Sequence, residues 1–269
     1  MGIHIMRNII CHRDLVGAMP SDSSPRLLKT TQTSLQILRL IKRNEANTLT
    51  TIAQSIDKPK SSVFSQLKTL ENEGLVVEHN GEYRLGMELL HFGSSVWRSH
   101  PHSRVVIDEM KELSQRIDED VHFLSIENGR LYTIYAENDF DIGNRYYMHN
   151  TAAGKAALAE FPEHRIEAVI DRWGLPAETE QTITDPEKLH TELAEIKERG
   201  YAIVDSEFDK GTKAVGAAVH NPDGRVFGAL GVGGPSFQLR DTRLYDSLPQ
   251  MVIQLRDQLE ETLWRAQSS

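Results

Sequence analysis

Residues 48–86 read TLTTIAQSIDKPKSSVFSQLKTLENEGLVVEHNGEYRLG, and this stretch decides the fold of the first part of the chain. Its first apolar residues recur at the spacing i, i+3, i+4 and i+7, which predicts a short helix with one buried face. These residues are Leu49, Ile52, Ala53 and Ile56. Thr48 precedes the helix, where its hydroxyl oxygen can cap the first turn.

A second helix follows a break at Pro59, because proline lacks an amide hydrogen and restrains the residue before it. Its buried stripe is formed by Val63, Leu67 and Leu70. Gly74 lies where a helix commonly ends, and Asn80-Gly81 is a strong signal for a two-residue hairpin turn. Two helices, a tight break and a hairpin make a winged helix-turn-helix. A preceding helix at residues 31–43 is predicted to pack on it through Leu35, Ile37, Leu38 and Ile41.

The polar side of the second helix suits a DNA groove, since small polar side chains can reach base edges while lysines reach phosphates. An ordinary helical subdomain with a solvated face is the alternative. On the first interpretation, the predicted DNA contacts are Lys58, Lys60, Ser61, Ser62, Phe64, Ser65, Lys68, Thr69, Asn80 and Arg84.

Several short motifs in this region resemble the DNA-binding domain of IclR-type (isocitrate-lyase-regulator) transcription factors. They are the segments 34–38, 52–53, 58–63, 70–75 and 83–86. Later motifs extend the resemblance over nearly all of residues 31–265. It implies a winged helix at residues 26–86, a linker helix at 87–103 that helps the protein dimerise, and an effector-binding domain at 104–269.

The net charge of the whole chain is −9, which does not by itself favour a nucleic-acid partner. The distribution of charge along the chain does. Residues 26–86 hold nine basic and six acidic residues, whereas residues 87–269 hold 19 basic and 31 acidic residues. The basic excess therefore lies in the winged helix. Residues 1–25 are predicted to be a flexible or mis-annotated lead, and translation can start at Met1 or at Met19.

The composition also excludes some classes of site. Cys11 is the only cysteine, so an internal disulfide and a cysteine metal cluster are excluded. No apolar run is long enough for a transmembrane helix, and the start of the chain lacks a secretory pattern. We therefore expect a cytoplasmic protein with no membrane partner, and we predict no cofactor and no metal site.

The C-terminal part is predicted to have an α+β fold. Residues 121–126 and 131–135 alternate as strands around the turn Asn128-Gly129, and further strands are predicted at 145–148, 201–206, 213–220 and 226–233. Helices are predicted at 87–98, 105–117, 152–159, 163–173, 186–199 and 241–264. By resemblance, this domain is GAF-like, an antiparallel sheet with flanking helices.

The sharpest small-molecule signal is residues 149–155, HNTAAGK, where a strand gives way to a helix. Small residues allow a ligand to approach backbone amides there, and a helix N-terminus favours an anion. Close packing of the helix on the sheet explains the small residues equally well. The segment resembles the family's Thr-Ala-x-Gly-Lys-Ala signature at the effector pocket. The predicted effector-binding residues are Phe123, Tyr146, His149, Thr151, Ala152, Ala153, Gly154, Asp205, Glu207, Ala214, Gly231 and Gly233.

Some of these residues depart from the family pattern. Many relatives carry cysteine at the position of Ala214 and serine at the positions of Gly231 and Gly233, so this pocket is expected to have more room and fewer polar groups. Relatives commonly place arginine where this chain has Ser65, so their operator preferences should not transfer.

The sequence and the resemblance together predict a ligand-responsive transcriptional regulator that controls the metabolism of carbon compounds. Its predicted partners are double-stranded DNA, a small organic acid and a second copy of the chain, as a homodimer or a homotetramer. The alternative is a metabolite-binding enzyme with an accessory winged helix. It is disfavoured because the chain has no Gly-x-Ser-x-Gly, P-loop or His-Glu-x-x-His motif.

Overall fold

The computed structural model describes residues 27–100, 102–137 and 141–267. These residues form two compact units that divide after Gly93. The expectations for residues 1–25, including the choice between Met1 and Met19, lie outside the described residues.

The first unit is the predicted winged helix-turn-helix. Its elements are α1 (Lys29–Lys42), α2 (Leu49–Ser55), α3 (Lys60–Asn72), β1 (Val76–His79) and β2 (Glu82–Leu85). One core holds them together, and its fully buried side chains are Ile37, Ile52, Val63 and Leu67. The prediction that Leu35 belongs to this core was wrong, because 46% of it is exposed. Ile37 and Ile41, one turn apart, centre the buried face of α1 and turn Leu35 outward.

The capping and turn residues within 48–86 form the structures that the sequence predicts. The Thr48 hydroxyl accepts a hydrogen bond from the amide of Thr51 at 3.2 Å, and the Thr51 hydroxyl accepts one from the amide of Thr48 at 3.0 Å. This reciprocal capping box starts α2. Gly74 ends α3 with a φ of +70°, and the turn residues Asn80 and Gly81 have φ values of +53° and +83°. Positive φ at both turn positions gives the tight hairpin between β1 and β2.

The helix α4 (Glu88–Ser99) spans the point of division, and the remaining elements belong to the second unit. They are α5 (Ser103–Ser114), β3 (Asp120–Glu127), β4 (Arg130–Ala136), β5 (Arg145–Tyr146), α6 (Ala152–Ala159), α7 (Glu163–Trp173), α8 (Pro186–Arg199), β6 (Ala202–Asp205), β7 (Thr212–His220), β8 (Val226–Pro235), a π-helical segment (Arg243–Ser247) and α9 (Leu248–Gln267).

The six strands form one antiparallel sheet in the order β5-β4-β3-β8-β7-β6. Alternate strand residues point to opposite faces. On one face, α5 and α9 pack on Val121, Phe123, Val215 and Leu230. On the other face, α6, α7 and α8 pack on Leu124, Leu131 and Ala229. The predicted α+β fold is confirmed, with an antiparallel sheet between two helical layers.

Helix and turn signals also set the bounds of elements in the second unit. Asp185 accepts a hydrogen bond from the amide of Glu187 at 2.9 Å and starts α8, while Gly200 ends it with a φ of +79°. The turn Asn128-Gly129 joins β3 to β4 with positive φ at both residues. Among the described helices, none is both long and apolar enough to cross a membrane.

Candidate functional site

The helix α3 has a buried side toward the core and an exposed side that carries the predicted DNA contacts. The eight predicted contacts between Lys58 and Thr69 are all exposed. Lys58 lies in the turn before α3 and the other seven lie on α3, so these two elements bring them together. Asn80 lies at the turn of the hairpin and Arg84 on β2, and both are also exposed. The structure therefore places the predicted contacts on two elements, the second helix and the wing.

The cations on α3 differ in their surroundings. Lys58 and Lys60 are exposed, and within the described part of the chain neither has an ion-pair partner. The ammonium of Lys68 lies 2.7 Å from a carboxylate oxygen of Glu71, and this hydrogen bond raises the pKa of Lys68. Lys58 and Lys60 are thus better placed than Lys68 for a phosphate group.

The hydroxyl groups on α3 are partly used within the helix. Ser65 donates to the carbonyl of Ser61 at 3.1 Å, and Thr69 donates to the carbonyl of Ser65 at 2.9 Å. These bonds leave the hydroxyl oxygens as acceptors. Sequence reasoning missed a contact behind this surface, in which the Ser34 hydroxyl donates to the side-chain oxygen of Gln66 and holds it against α1.

The second unit contains a cavity of about 220 Å³ over the sheet face that α6 covers. Its floor is formed by β3, β7 and β8, and one end is closed by the start of α6. Of the predicted effector residues, the following line it: Tyr146, Thr151, Ala152, Ala153, Ala214, Gly231 and Gly233. The residues that sequence reasoning missed are Asp120, His122, Leu124, Val204, Phe208, Thr212, Lys213, Val232 and Gly234.

The first turn of α6 supplies the backbone donors of this cavity. Thr151 caps the helix. Its hydroxyl accepts a hydrogen bond from the backbone amide of Gly154 at 3.2 Å, and its carbonyl oxygen accepts one from the backbone amide of Lys155 at 2.9 Å. The amides of Ala152 and Ala153 stand at the first two helical positions and have no intrahelical acceptor. Both residues line the cavity, so an anion there meets a helix N-terminus.

Two glycines allow α6 to begin this close to its neighbours. A Cβ atom on Gly216 of β7 would lie 2.4 Å from the amide nitrogen of Ala153, and a Cβ on Gly154 would lie 2.3 Å from the carbonyl oxygen of Met148. The close-packing explanation of the small residues is therefore right for Gly154, which does not line the cavity. Nothing in the sequence distinguished Gly216, since its partner is distant along the chain.

The room left by missing side chains differs between Gly231 and Gly233 of β8. A Cβ on Gly231 would meet only Ala153 and Leu124, at 3.7 and 3.8 Å, so this position opens on the cavity. A Cβ on Gly233 would lie 2.4 Å from the carbonyl oxygen of Lys213. The expectation of extra room holds at Gly231 and fails at Gly233, where the backbone of β7 already occupies the space.

Phe123 and His149 are predicted effector residues that do not line the cavity. The prediction that Phe123 forms its wall was wrong, because strand alternation places this fully buried ring on the other face of the sheet, 5.5 Å from the ring of Phe227. His149 is also buried, and its Nε2 lies 3.1 Å from the carbonyl oxygen of Pro176. Burial lowers the pKa of its imidazole. His149 is thus a structural residue next to the site.

The acidic residues of the prediction pair with lysines instead of lining the cavity. Both carboxylate oxygens of Glu207 lie 2.6 Å from the ammonium of Lys155, which is fully buried. Glu192 approaches the same ammonium at 3.0 Å. Asp205 is exposed and lies 3.4 Å from the ammonium of Lys213. The motif signal pointed to Lys155, but spacing alone could not show that it is an internal cation.

A group of possible metal ligands lies elsewhere on the second unit. Glu163 and Glu167 of α7 lie one turn apart, and their carboxylates meet His190 of α8. The imidazole is 2.7 Å from Glu167 and 3.4 Å from Glu163. Glu163 and Glu167 are exposed and His190 is partly buried, and its Nε2 lies within hydrogen-bonding distance of Glu167.

Comparison with known proteins agrees with both units. The profile of the IclR helix-turn-helix domain matches residues 32–79. The profile described as "Bacterial transcriptional regulator IclR C-terminal" matches residues 99–260. The chain belongs to the IclR family. It is therefore a DNA-binding transcriptional regulator, and the enzyme alternative is set aside because this family consists of regulators.

Individual relatives cover most of the chain. The IclR-family regulator XynR of Escherichia coli is 31% identical over 238 residues, which are 84% of this chain and 93% of that protein. The acetate operon repressor of Salmonella typhimurium is 28% identical over 221 residues, covering 78% and 80%. An IclR homolog from Microbacterium hydrocarbonoxydans, solved with 4-hydroxybenzoate, has a TM-score of 0.68 at 21% identity and covers 88% of this chain and 99% of that one. That likeness shows a common fold.

Proposed function

We propose that this regulator responds to a small organic acid that binds in the cavity at the start of α6. The observation that carries the proposal is the pair of amides at Ala152 and Ala153, which have no intrahelical acceptor and belong to residues that line the cavity. A carboxylate there gains two hydrogen bonds and the positive end of the helix dipole. Acid binding must favour one conformation of the regulator over another, since a ligand that binds both equally changes nothing.

The walls of the cavity favour an apolar or aromatic acid. Tyr146 and Phe208 meet edge to face, with ring centroids 5.0 Å apart, and Leu124 and Val204 add aliphatic surface. Hydroxyl groups of a sugar acid would lose hydrogen bonds against these apolar surfaces, and polar side chains line only the remainder of the cavity. The volume of about 220 Å³ lies below the ~300–1,000 Å³ range of pockets for drug-sized ligands. We therefore propose a compact aromatic carboxylate, larger than a three-carbon oxo acid.

Two relatives support this class of effector. The homolog from Microbacterium hydrocarbonoxydans binds 4-hydroxybenzoate, an aromatic acid. The acetate operon repressor is named for an operon of carbon metabolism. By analogy, we propose that this regulator controls genes for the metabolism of a carbon compound.

Calorimetry on the full chain tests the carboxylate contact. Matched pairs such as benzoate and benzamide, or 4-hydroxybenzoate and its amide, have nearly the same shape but differ in charge. The acid should bind at least about tenfold more tightly, because only the acid is stabilised by the helix N-terminus. Equal affinity for an acid and its amide would refute the contact with α6.

A graded series at Gly231 tests the place of binding. Alanine, valine and leucine at this position fill the cavity from the floor, and the first added atom meets no neighbour closer than 3.7 Å. Acid affinity should fall with side-chain size, while DNA binding without ligand stays unchanged. If the leucine variant bound the acid as tightly as wild type, the site would lie elsewhere.

The proposed DNA interface consists of α3 and the wing. Lys58 and Lys60 are proposed to neutralise phosphates, Ser61 and Ser62 to face the major groove at the start of α3, and Arg84 to reach the backbone from β2. Ser65, Lys68, Thr69 and Asn80 complete the proposed surface. Its support is their common exposure and the family's helix-turn-helix domain.

A second copy of the chain is the proposed partner of α4. Met87, Leu90, Phe92 and Val96 are each more than half exposed, which is unusual for large apolar side chains within one turn of each other. We propose that residues 87–103 form a linker whose helix, α4, dimerises, between a winged helix at 26–86 and an effector domain at 104–269. Sedimentation of Leu90→Glu should show monomers where wild type shows dimers. The control variant Lys197→Met, at an exposed position, should sediment with the same dimer mass as wild type.

A further inference from the structure

One large apolar side chain stands out on the exposed face of α3. Phe64 is 45% exposed, whereas the other apolar residues of this helix, Val63, Leu67 and Leu70, are buried. Aromatic rings contribute strongly to interfaces because of the area they bury. An exposed ring in the middle of a DNA-facing surface is therefore placed to contact the partner of that surface.

The same surface lacks the side chains that recognise bases with two parallel hydrogen bonds. Arginine and asparagine do not occur between Lys60 and Glu71. Gln66, the one amide in this stretch, is held by Ser34 of α1. The hydroxyls of Ser65 and Thr69 donate to helix carbonyls. Guanine and adenine are usually read through such paired contacts, so a different kind of contact can add base discrimination to that of the serines at the start of this helix.

The cations of α3 are arranged around the ring. Lys60 precedes Phe64 by four residues and Lys68 follows it by four, so both lie on its side of the helix. The Lys68 ammonium is 5.7 Å from the ring centroid. Lysines that face the phosphates on each side of a groove would leave the ring directed at the base edges between them.

We propose that Phe64 reads the C5-methyl group of a thymine in the major groove. The methyl group is the only apolar feature that a base pair presents there, and aromatic side chains are among its known contacts. The flanking lysines favour DNA over a protein partner for this ring. The proposal rests on the family's DNA-binding function and adds to it a residue that determines specificity.

The test uses duplexes selected in vitro from a random pool by the full-length wild-type protein. Each thymine of the selected duplex is then replaced in turn by deoxyuridine, which removes only the methyl group. At one position in each recognition site, affinity should fall about fourfold, the factor expected when one methyl group is no longer buried. Because this arm uses only wild-type protein, it does not depend on any variant folding.

The second arm assigns the effect to Phe64. Phe64→Ala should bind the thymine duplex more weakly and should not distinguish it from the deoxyuridine duplex. Leu35→Ala removes a similarly exposed apolar side chain of the same unit, on α1 and outside the proposed interface, and should keep the fourfold difference. Thermal melting of both variants checks that the unit stays folded.

Three outcomes overturn the proposal. They are a selected duplex in which no deoxyuridine weakens binding, an unchanged deoxyuridine effect in Phe64→Ala, and loss of the effect in Leu35→Ala alone. Failure to select any duplex would instead contradict sequence-specific DNA binding itself, so the two failures are distinguishable.

Discussion

The buried ion-pair cluster around Lys155 makes a strong prediction about stability. Its ammonium is fully buried and lies 2.6 Å from the Glu207 carboxylate and 3.0 Å from Glu192. In Lys155→Met, a side chain of similar length remains but the charge is lost. Glu207, whose side chain is only 10% exposed, then has no ion-pair partner among the residues that the structure describes. Glu192 is 22% exposed and can turn toward water.

The magnitude follows from leaving one buried carboxylate unpaired. Removing one partner of a buried ion pair typically costs about 3–5 kcal/mol of unfolding free energy. For a unit of this size, each kcal/mol corresponds to roughly 2–4 °C, so Lys155→Met should lower the melting temperature by roughly 6–20 °C. Adding Glu207→Gln removes the unpaired charge and should restore about 2 kcal/mol.

The pH dependence provides a second signature with a definite sign. Burial raises the pKa of Glu207, and this effect exceeds the attraction of Lys155. A carboxyl whose pKa is higher in the folded state stabilises fully below its unfolded pKa, and this stability is lost as pH rises through the folded pKa. Without Lys155 the pKa of Glu207 rises further, because burial and the repulsion of Glu192 remain.

The loss in Lys155→Met should therefore be smallest at acid pH, where the Glu207 carboxyl is protonated in the folded and the unfolded state, and should grow as pH rises through its folded pKa. The double variant Lys155→Met/Glu207→Gln should lose this dependence. Urea unfolding followed by circular dichroism measures the stability of both variants at each pH. The control is Lys197→Met on the surface of α8, which is expected to change stability by less than about 0.5 kcal/mol. A cost below about 1 kcal/mol for Lys155→Met, equal at all pH values, would refute the assigned role of the cluster.

Three further predictions concern other elements. Lys60→Ala should weaken binding to all duplexes and reduce the slope of log affinity against log salt by about one unit, and Lys42→Ala on α1 should not. Thr48→Ala should lower the unfolding free energy of the winged helix by about 1 kcal/mol in urea titrations, since the capping box is lost. Gly216→Ala should lower the melting temperature and the acid affinity together, because its Cβ would lie 2.4 Å from the first peptide of α6.

Local signals allowed most of the fold to be predicted from the sequence. Asp185-Pro186 and Gly200 set the bounds of α8, and Asn80-Gly81 set the register of the wing. Such signals act over a few residues, because a cap or a turn satisfies backbone groups within its own segment. For the same reason, the exposed face of α3 could be predicted before its neighbours were known.

The features that sequence reasoning missed depend on contacts between distant segments. Gly216 matters because α6, more than fifty residues earlier, lies on it. Lys155 is internal because Glu192 and Glu207 reach it from α8 and from the loop after β6. Phe123 was assigned to the wrong face, since its apolar character fits the core on either side of the sheet. Pattern and composition do not specify which of two buried faces holds a cavity.

The neighbouring residues Glu207 and Phe208 show why the effector site was predicted only in part. Sequence reasoning chose Glu207 because a polar group can bind a polar ligand, yet its carboxylate turns inward to Lys155. Phe208 turns the other way, to the cavity, and meets Tyr146 there. An ion pair outside the lining of the cavity therefore fixes the backbone next to the apolar wall. It follows that Glu207→Gln should weaken acid binding through the position of Phe208, although position 207 does not line the site.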